Sequence, residues 1–263
     1  MRRFDREKKG QFIIIAALMM AIMIISISSI IYSSVTYFKT ERWEEYVVLI
    51  DSVKTGTARV LEISLANYTQ TMNNMILKDN MDKWSNDVKQ AYPGFGVVLT
   101  CTFPSSSRVY QVYGVSIRYS NGLNYTWYQT TSFSAANTSV SLSLTTAGLT
   151  GYNFVTSAFL KERILNAKYD GTAKKLSIYL SVEKEDSIPI TNLKKETFSL
   201  NVYVNNKWTD VLLNDLSFSR YYSSTYNMFI YELGYSTNSQ PSLASVAVTD
   251  TRGIRVVANS TVT

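Results

Sequence analysis

Histidine is absent from all 263 residues, which removes the commonest general base and the commonest metal ligand at once. A single cysteine, Cys101, excludes an intrachain disulfide framework. Charge is also scarce, at 17% of residues against 46% hydrophobic, and it is unevenly placed. Between Gly10 and Phe38 no Asp, Glu, Lys or Arg occurs. Residues 1–10 hold Arg2, Arg3, Arg6, Lys8 and Lys9 against Asp5 and Glu7, so half of the net +6 sits in the first ten positions. What is left is too thin for a basic nucleic-acid-binding face. P-loop, paired zinc-ligand and Gly-x-Ser-x-Gly patterns are missing too. No cofactor is expected, and the chain does not read as an enzyme.

What is present begins with an apolar run. Phe12 to Ile31 is dominated by Ile, Met, Ala and Leu, and about 20 such residues in a helix cross the hydrocarbon core of a bilayer. A helix buried in a soluble core seldom runs this long without a polar face. The basic cluster lies directly before the run, and the mixed charges Lys39, Glu41 and Arg42 directly after it. That asymmetry predicts a single-pass protein with a cytoplasmic N-terminus and extracellular C-terminal domains. A cleaved secretory signal is the competing reading, with Ser33 and Ser34 mimicking a cleavage site.

The string Lys8-Lys9-Gly10-Gln11-Phe12-Ile13 resembles the class III signal of archaeal type IV pilins and archaellins. In that family a short charged leader ends in Gly or Ala, and a prepilin-type peptidase cuts before an apolar helix. The resemblance implies cleavage between Gly10 and Gln11, and copies of the chain or other pilin-like subunits as partners through the N-terminal helix. It covers about twenty residues. Many members carry Glu at the fifth mature position, where this chain has Ile15; that departure weighs more against a major filament subunit than against a pilin-like anchor.

Beyond the span, Trp43, Tyr46, Val47, Ile50, Val53, Val60, Leu61, Leu65, Tyr68, Met72, Met75 and Ile76 recur at intervals of three and four. The spacing predicts an amphipathic helix over 40–78, continuous with the membrane helix. Gly56 costs such a helix about 1 kcal/mol relative to Ala. Asp79-Asn80 offers a cap for a second short helix over Met81–Ala91, and Pro93-Gly94 ends it.

From Gly96 the period changes to two. Strands are expected over Val97–Phe103, Val109–Tyr119, Leu123–Phe133 and Ser139–Leu144, with a type I′ turn at Asn121-Gly122 and another turn at Ala135-Ala136-Asn137. A long helix followed by a four-stranded antiparallel meander is similar to the pilin arrangement. The small-residue stretch Thr145–Tyr152 suggests a domain boundary. Seven further strands follow, over Arg163–Tyr169, Lys174–Glu183, Thr197–Val204, Lys207–Leu213, Asn227–Leu233, Leu243–Thr249 and Ile254–Asn259. Their spacing suits an immunoglobulin-like sandwich lacking the Cys…Trp…Cys signature.

The expected class is therefore α+β. A basic leader (1–10) precedes a transmembrane helix (11–34) and an extracytoplasmic helical region (35–92). A four-stranded sheet (93–150) and an immunoglobulin-like sandwich (151–263) complete the chain. Asp170-Gly171-Thr172 and Asp250-x-Arg252-Gly253 invite comparison with calcium loops but lack the alternating carboxylates, and read as turns. Glu183, Glu185 and Asp186, beside Lys184, read as a solvated loop. Four glycosylation sequons stand at Asn67, Asn124, Asn137 and Asn259. The nineteen tyrosines suit either core filling or adhesive contact. Together these features suggest a surface protein held in the lipid bilayer with a structural, assembly or adhesion role. The alternative is an unprocessed single-pass protein whose outer domain binds carbohydrate, a surface layer or another protein.

Overall fold

The computed structural model describes the backbone of residues 4–104 and 106–263; side chains are described for the same residues except 4–15 and 36–42. Helix α1 carries the bounds Phe4–Thr71, and the chain forms two compact units, one ending at Val53 and the other running from Lys54 to Thr263.

In the first unit, Ala16–Val35 is long and apolar enough to cross a membrane, and none of it is buried by the protein. Leu18, Ile25, Ile30 and Val35 are each at least 60% exposed. The expected leader, residues 1–10 with its Gly10–Gln11 junction, lies outside the described side chains, and residues 1–3 lie outside the described backbone.

The second unit opens with the end of α1 and then α2, Ile76–Ala91. The helical break differs from the expected one. It falls at residues 72–75, where Met72 turns left-handed (φ 57°) and the Asn73 side-chain oxygen accepts the Met75 N–H at 3.0 Å. Asp79 and Asn80 lie inside α2 rather than capping it, because the local Asn73 turn stops α1 earlier. Pro93-Gly94 does end the helical region, in a single turn of 3₁₀ helix.

Thirteen strands follow among the described residues: β1 (Val97–Thr102), β2 (Tyr110–Val112), β3 (Val115–Ile117), β4 (Leu123–Thr126), β5 (Thr131–Leu144), β6 (Leu149–Asp170), β7 (Lys175–Lys184), β8 (Phe198–Val204), β9 (Lys207–Asp210), β10 (Leu216–Ser223), β11 (Met228–Ser236), β12 (Leu243–Thr249) and β13 (Arg255–Thr261). All ladders between them are antiparallel. One sheet runs β1-β5-β6-β7-β11-β10, with β4 also paired to β5; a second runs β13-β12-β8-β9; β2 and β3 form a small hairpin. The architecture is thus α+β, an N-terminal apolar helix followed by antiparallel sheets.

The boundary expected at 150/151 falls inside the β5–β6 hairpin of one sheet, so the two expected β domains share a backbone ladder. The small residues that suggested a linker make a tight reversal instead, closed by Gly148 in the left-handed region (φ 67°). Likewise Ala135-Ala136-Asn137 is no turn. It lies within β5, where Ala135 and Ala136 are fully buried and their small size suits a crowded face. Val109–Tyr119 splits into β2 and β3 at Tyr113-Gly114, both at positive φ. The Asn121-Gly122 turn is present, with φ 51° and 79°. A Cβ at Gly122 would meet the Asn137 carbonyl oxygen at 2.6 Å.

Residues of both larger sheets and of the helices meet in one core. Leu61 and Leu65 of α1, Leu77 and Met81 of α2, Leu160, Ile178 and Leu233 of the first sheet, and Leu200, Val246 and Val256 of the second all belong to it. At roughly 25 cal/mol per Å² of apolar surface, each such side chain contributes about 1.5–3 kcal/mol. A satellite cluster of Ile117, Tyr119, Phe133 and Phe159 packs under the β2–β3 hairpin.

Candidate functional site

The most conspicuous chemistry of the first unit is the exposed apolar stretch Ala16–Val35. Apart from five serines its side chains are apolar or aromatic, and apolar surface of this extent is costly to leave in water. After it, Trp43 and Tyr46 stack edge to face with centroids 6.2 Å apart. Amphipathic rings of this kind suit a membrane–water boundary.

In the second unit the main ionic constellation centres on Arg252. The turn between β12 and β13 is closed by Gly253 N–H donating to Asp250 O at 3.0 Å, with Gly253 at φ 82°. Asp250 is buried and its carboxylate organises that turn, Oδ1 accepting the N–H groups of Arg252 (2.9 Å) and Ile254 (3.0 Å). Arg252 Nε donates to Asp250 Oδ2 at 2.7 Å. One terminal nitrogen reaches Glu185 Oε1 at 2.6 Å and Glu62 Oε1 at 3.3 Å, and the other reaches Phe159 O at 3.0 Å. Glu185 Oε1 also accepts the Phe159 N–H at 2.6 Å. Burial alone would lower the Arg252 pKa, but Asp250 and Glu185 outweigh it and hold the guanidinium above its ordinary value.

Glu62, Glu185, Asp250 and Arg252 line a hollow of about 420 Å³ together with Lys184, Pro189 and Thr251. Chemically it is a staple: one cation holds α1, β6, the loop after β7 and the β12–β13 turn together. The signal was invisible in the sequence, since Glu62 and Arg252 lie 190 positions apart.

The remaining candidates resolve individually. Asp170 Oδ1 accepts the Thr172 and Ala173 N–H groups at 2.8 and 3.0 Å, which lowers its pKa and spends the oxygen on a turn. Glu183 pairs with Lys161 at 2.6 Å, so Glu183 and Glu185 serve different partners. Among the described residues, no three His, Cys, Asp or Glu side chains are grouped to hold a metal ion. Cys101 sits half-buried on β1, its thiol pushed up to about 11 by burial and by Asp82. It is protonated and a poor nucleophile at neutral pH.

All four sequon asparagines are half-buried and lie in regular structure: Asn67 in α1, Asn124 in β4, Asn137 in β5 and Asn259 in β13. The Asn124 side-chain nitrogen, the atom a glycan would occupy, donates to the Arg118 carbonyl. The amide oxygens of Asn124 and Asn259 are buried without a partner.

Sequence reasoning did not single out Glu162. It is fully buried on β6, on the face that carries Ala158, Leu160 and Ile164. Neither carboxylate oxygen forms a hydrogen bond of ordinary geometry. Burial drives its pKa well upward and the nearby Ala258 N–H only partly opposes this. Comparison with protein-family models, curated proteins and solved structures gives no match to this chain.

Proposed function

We propose that this chain is a pilin-like, membrane-anchored cell-surface protein of the archaeal kind, non-catalytic, with a structural, assembly or adhesion role. The observation that carries this reading is Ala16–Val35, a 20-residue apolar helical segment with none of its surface covered by the rest of the protein. Lipid covers it before assembly; in a filament, the equivalent helices of neighbouring copies replace the lipid. The leader-like string Lys8-Lys9-Gly10-Gln11 supports processing between Gly10 and Gln11 by a prepilin-type peptidase. The basic residues before the span support a cytoplasmic N-terminus and an external β region. In this reading α1 acts as one continuous helix from the membrane segment to Thr71.

The outer part is read as immunoglobulin-like on the strength of strand order. From β6 onward, one sheet runs β6-β7-β11-β10 and the other β13-β12-β8-β9. With β6 taken as strand A, these orders become A-B-E-D and G-F-C-C′, the arrangement of immunoglobulin constant domains with one added strand. β1 to β5 then extend the A edge.

The test is the mature N-terminus, measured by mass spectrometry on membranes of the native host. A start at Gln11, lost in a Gly10→Val variant, is the expected result. A start at Met1 overturns processing and leaves the second reading, an uncleaved single-pass surface-binding protein.

A further inference from the structure

The outward face of the first sheet carries a group of tyrosines that neither the anchor nor the core uses. Strand register sets Tyr179 of β7, Glu232 of β11 and Ser219 of β10 in one row, and Ile230 opposite Tyr221 in the next. The opposite face of β11 presents Tyr231 and Leu233 to the core, so alternation places Tyr179, Tyr221, Ile230 and Glu232 together on the other side. There, Tyr179, Tyr221, Tyr222 and Tyr226 line a cleft of about 380 Å³ with Ile230 and the Ser223-Ser224-Thr225 turn. Ile230 is only 1% exposed, yet Tyr221 and Tyr222 remain 41% and 62% exposed. Aromatic faces therefore form the walls and remain accessible.

The polar groups are arranged around those rings. The Tyr222 hydroxyl donates to Asn227 Oδ1 at 2.6 Å, and Asn227 holds the turn at φ 51°. Ser219 Oγ donates to Glu232 Oε2 at 3.2 Å beside the Tyr row. Burial first, and Glu232 second, push the Tyr179 and Tyr221 phenols upward, so both stay neutral donors. No charged residue lines the cleft, which disfavours phosphate or any strongly ionic ligand. A second hollow of about 210 Å³, lined by Lys168, Asp170, Lys175 and Ser177, adjoins it and shares Tyr179.

We infer that this cleft is a saccharide-binding site, taking a pyranose against the tyrosine faces and a second sugar unit toward the hollow beyond Tyr179. A pyranose offers an apolar C–H face to stack on the rings and hydroxyls that exchange hydrogen bonds with the phenols and with the Ser223-Ser224-Thr225 hydroxyls, the mixture of a mostly apolar wall and a few convergent polar groups that small-molecule sites use. The inference does not depend on leader processing or filament assembly.

The test uses the full chain in lipid nanodiscs on an array of neutral hexose and N-acetylhexosamine mono- and oligosaccharides. Retention of at least one oligosaccharide class is expected, with its monosaccharide held more weakly. A Tyr221→Ala/Tyr226→Ala variant with an unchanged circular-dichroism spectrum is expected to bind at least tenfold less. Tyr221→Phe, which keeps the ring, is expected to lose only a fewfold. Absence of any retained sugar on the parent chain overturns the inference, as does equal retention by the double variant. Saturable self-association through the same tyrosines without sugar binding also overturns it, in favour of a protein contact. None of these outcomes alters the mature N-terminus, so failure here is distinguishable from failure of the anchoring proposal.

Discussion

Glu162 is the residue at which the fold departs furthest from what burial alone tolerates. An ionised carboxylate without partners in a core is costly enough that the group neutralises instead. Its folded pKa is raised, while in the unfolded chain it titrates near the ordinary value of about 4.3. Between these two values the unfolded chain releases a proton that the folded chain keeps, so stability falls as pH rises through that window. Below the unfolded value both states are protonated and this penalty is absent. Glu162→Gln removes the titration. In detergent micelles, the thermal midpoint of the parent is expected to fall more steeply from about pH 4 to 7 than that of the variant. At neutral pH the variant is expected to be several degrees more stable, since about 1 kcal/mol moves a domain of this size by 2–4 °C. Parallel curves would mean that the carboxylate acquires a counter-charge in solution. Nothing in the sequence marks this position: Lys161-Glu162-Arg163 reads as a solvated charge run, and only the alternation of β6 turns the middle residue inward.

At the scale of the element, Gly56 shows why propensity misleads. In an isolated helix, Ala at this place gains about 1 kcal/mol. Here the Trp84 ring of α2 lies across α1, and a Cβ at Gly56 would sit 2.3 Å from Trp84 Cζ2. Trp84 is also held by its indole N–H, which donates to Thr57 Oγ1 at 3.1 Å. Gly56→Ala is therefore expected to destabilise the unit by about 1–3 kcal/mol, read from the denaturant midpoint, with a shift in tryptophan emission. A stabilised variant would show that the indole moves aside freely. Period and turn chemistry made most strands legible. β7, β8, β12 and β13 fall within two residues of expectation because their apolar residues alternate cleanly. β10 escaped because Leu216–Ser223 is an edge strand with a mostly exposed pattern of Ser, Arg and Tyr, which carries little alternation to read. The Arg252 staple escaped for a different reason, since its partners Glu62, Phe159, Glu185 and Asp250 are brought together only by the folded topology.

For the whole molecule, the long apolar helical segment was the most legible feature, because a bilayer-length run of one composition stands out from any other pattern. The continuity of the first sheet across residues 144–149 was the least legible. A run such as Thr145–Tyr152 reads as a linker by composition, whereas its role depends on whether the strands on either side pair, a long-range fact. They do pair: β5 and β6 align from Thr131–Arg163 through to Leu144–Leu149.

That pairing has a mechanical consequence. β6 is 22 residues long, about 70 Å of extended chain at 3.3 Å per residue. It is laddered to β5 from Leu149 to Arg163 and to β7 from Leu160 to Asp170, so the two ladders overlap over four residues. Tension entering either half passes along one backbone, loading the flanking hydrogen bonds in shear and together rather than unzipping them singly. Under single-molecule stretching, the β region is expected to give way in one rupture with a single length increment, and two separate increments would show that the halves yield independently. A pull on the outer strands of this β region is resisted by one ladder system that β5, β6 and β7 hold in common.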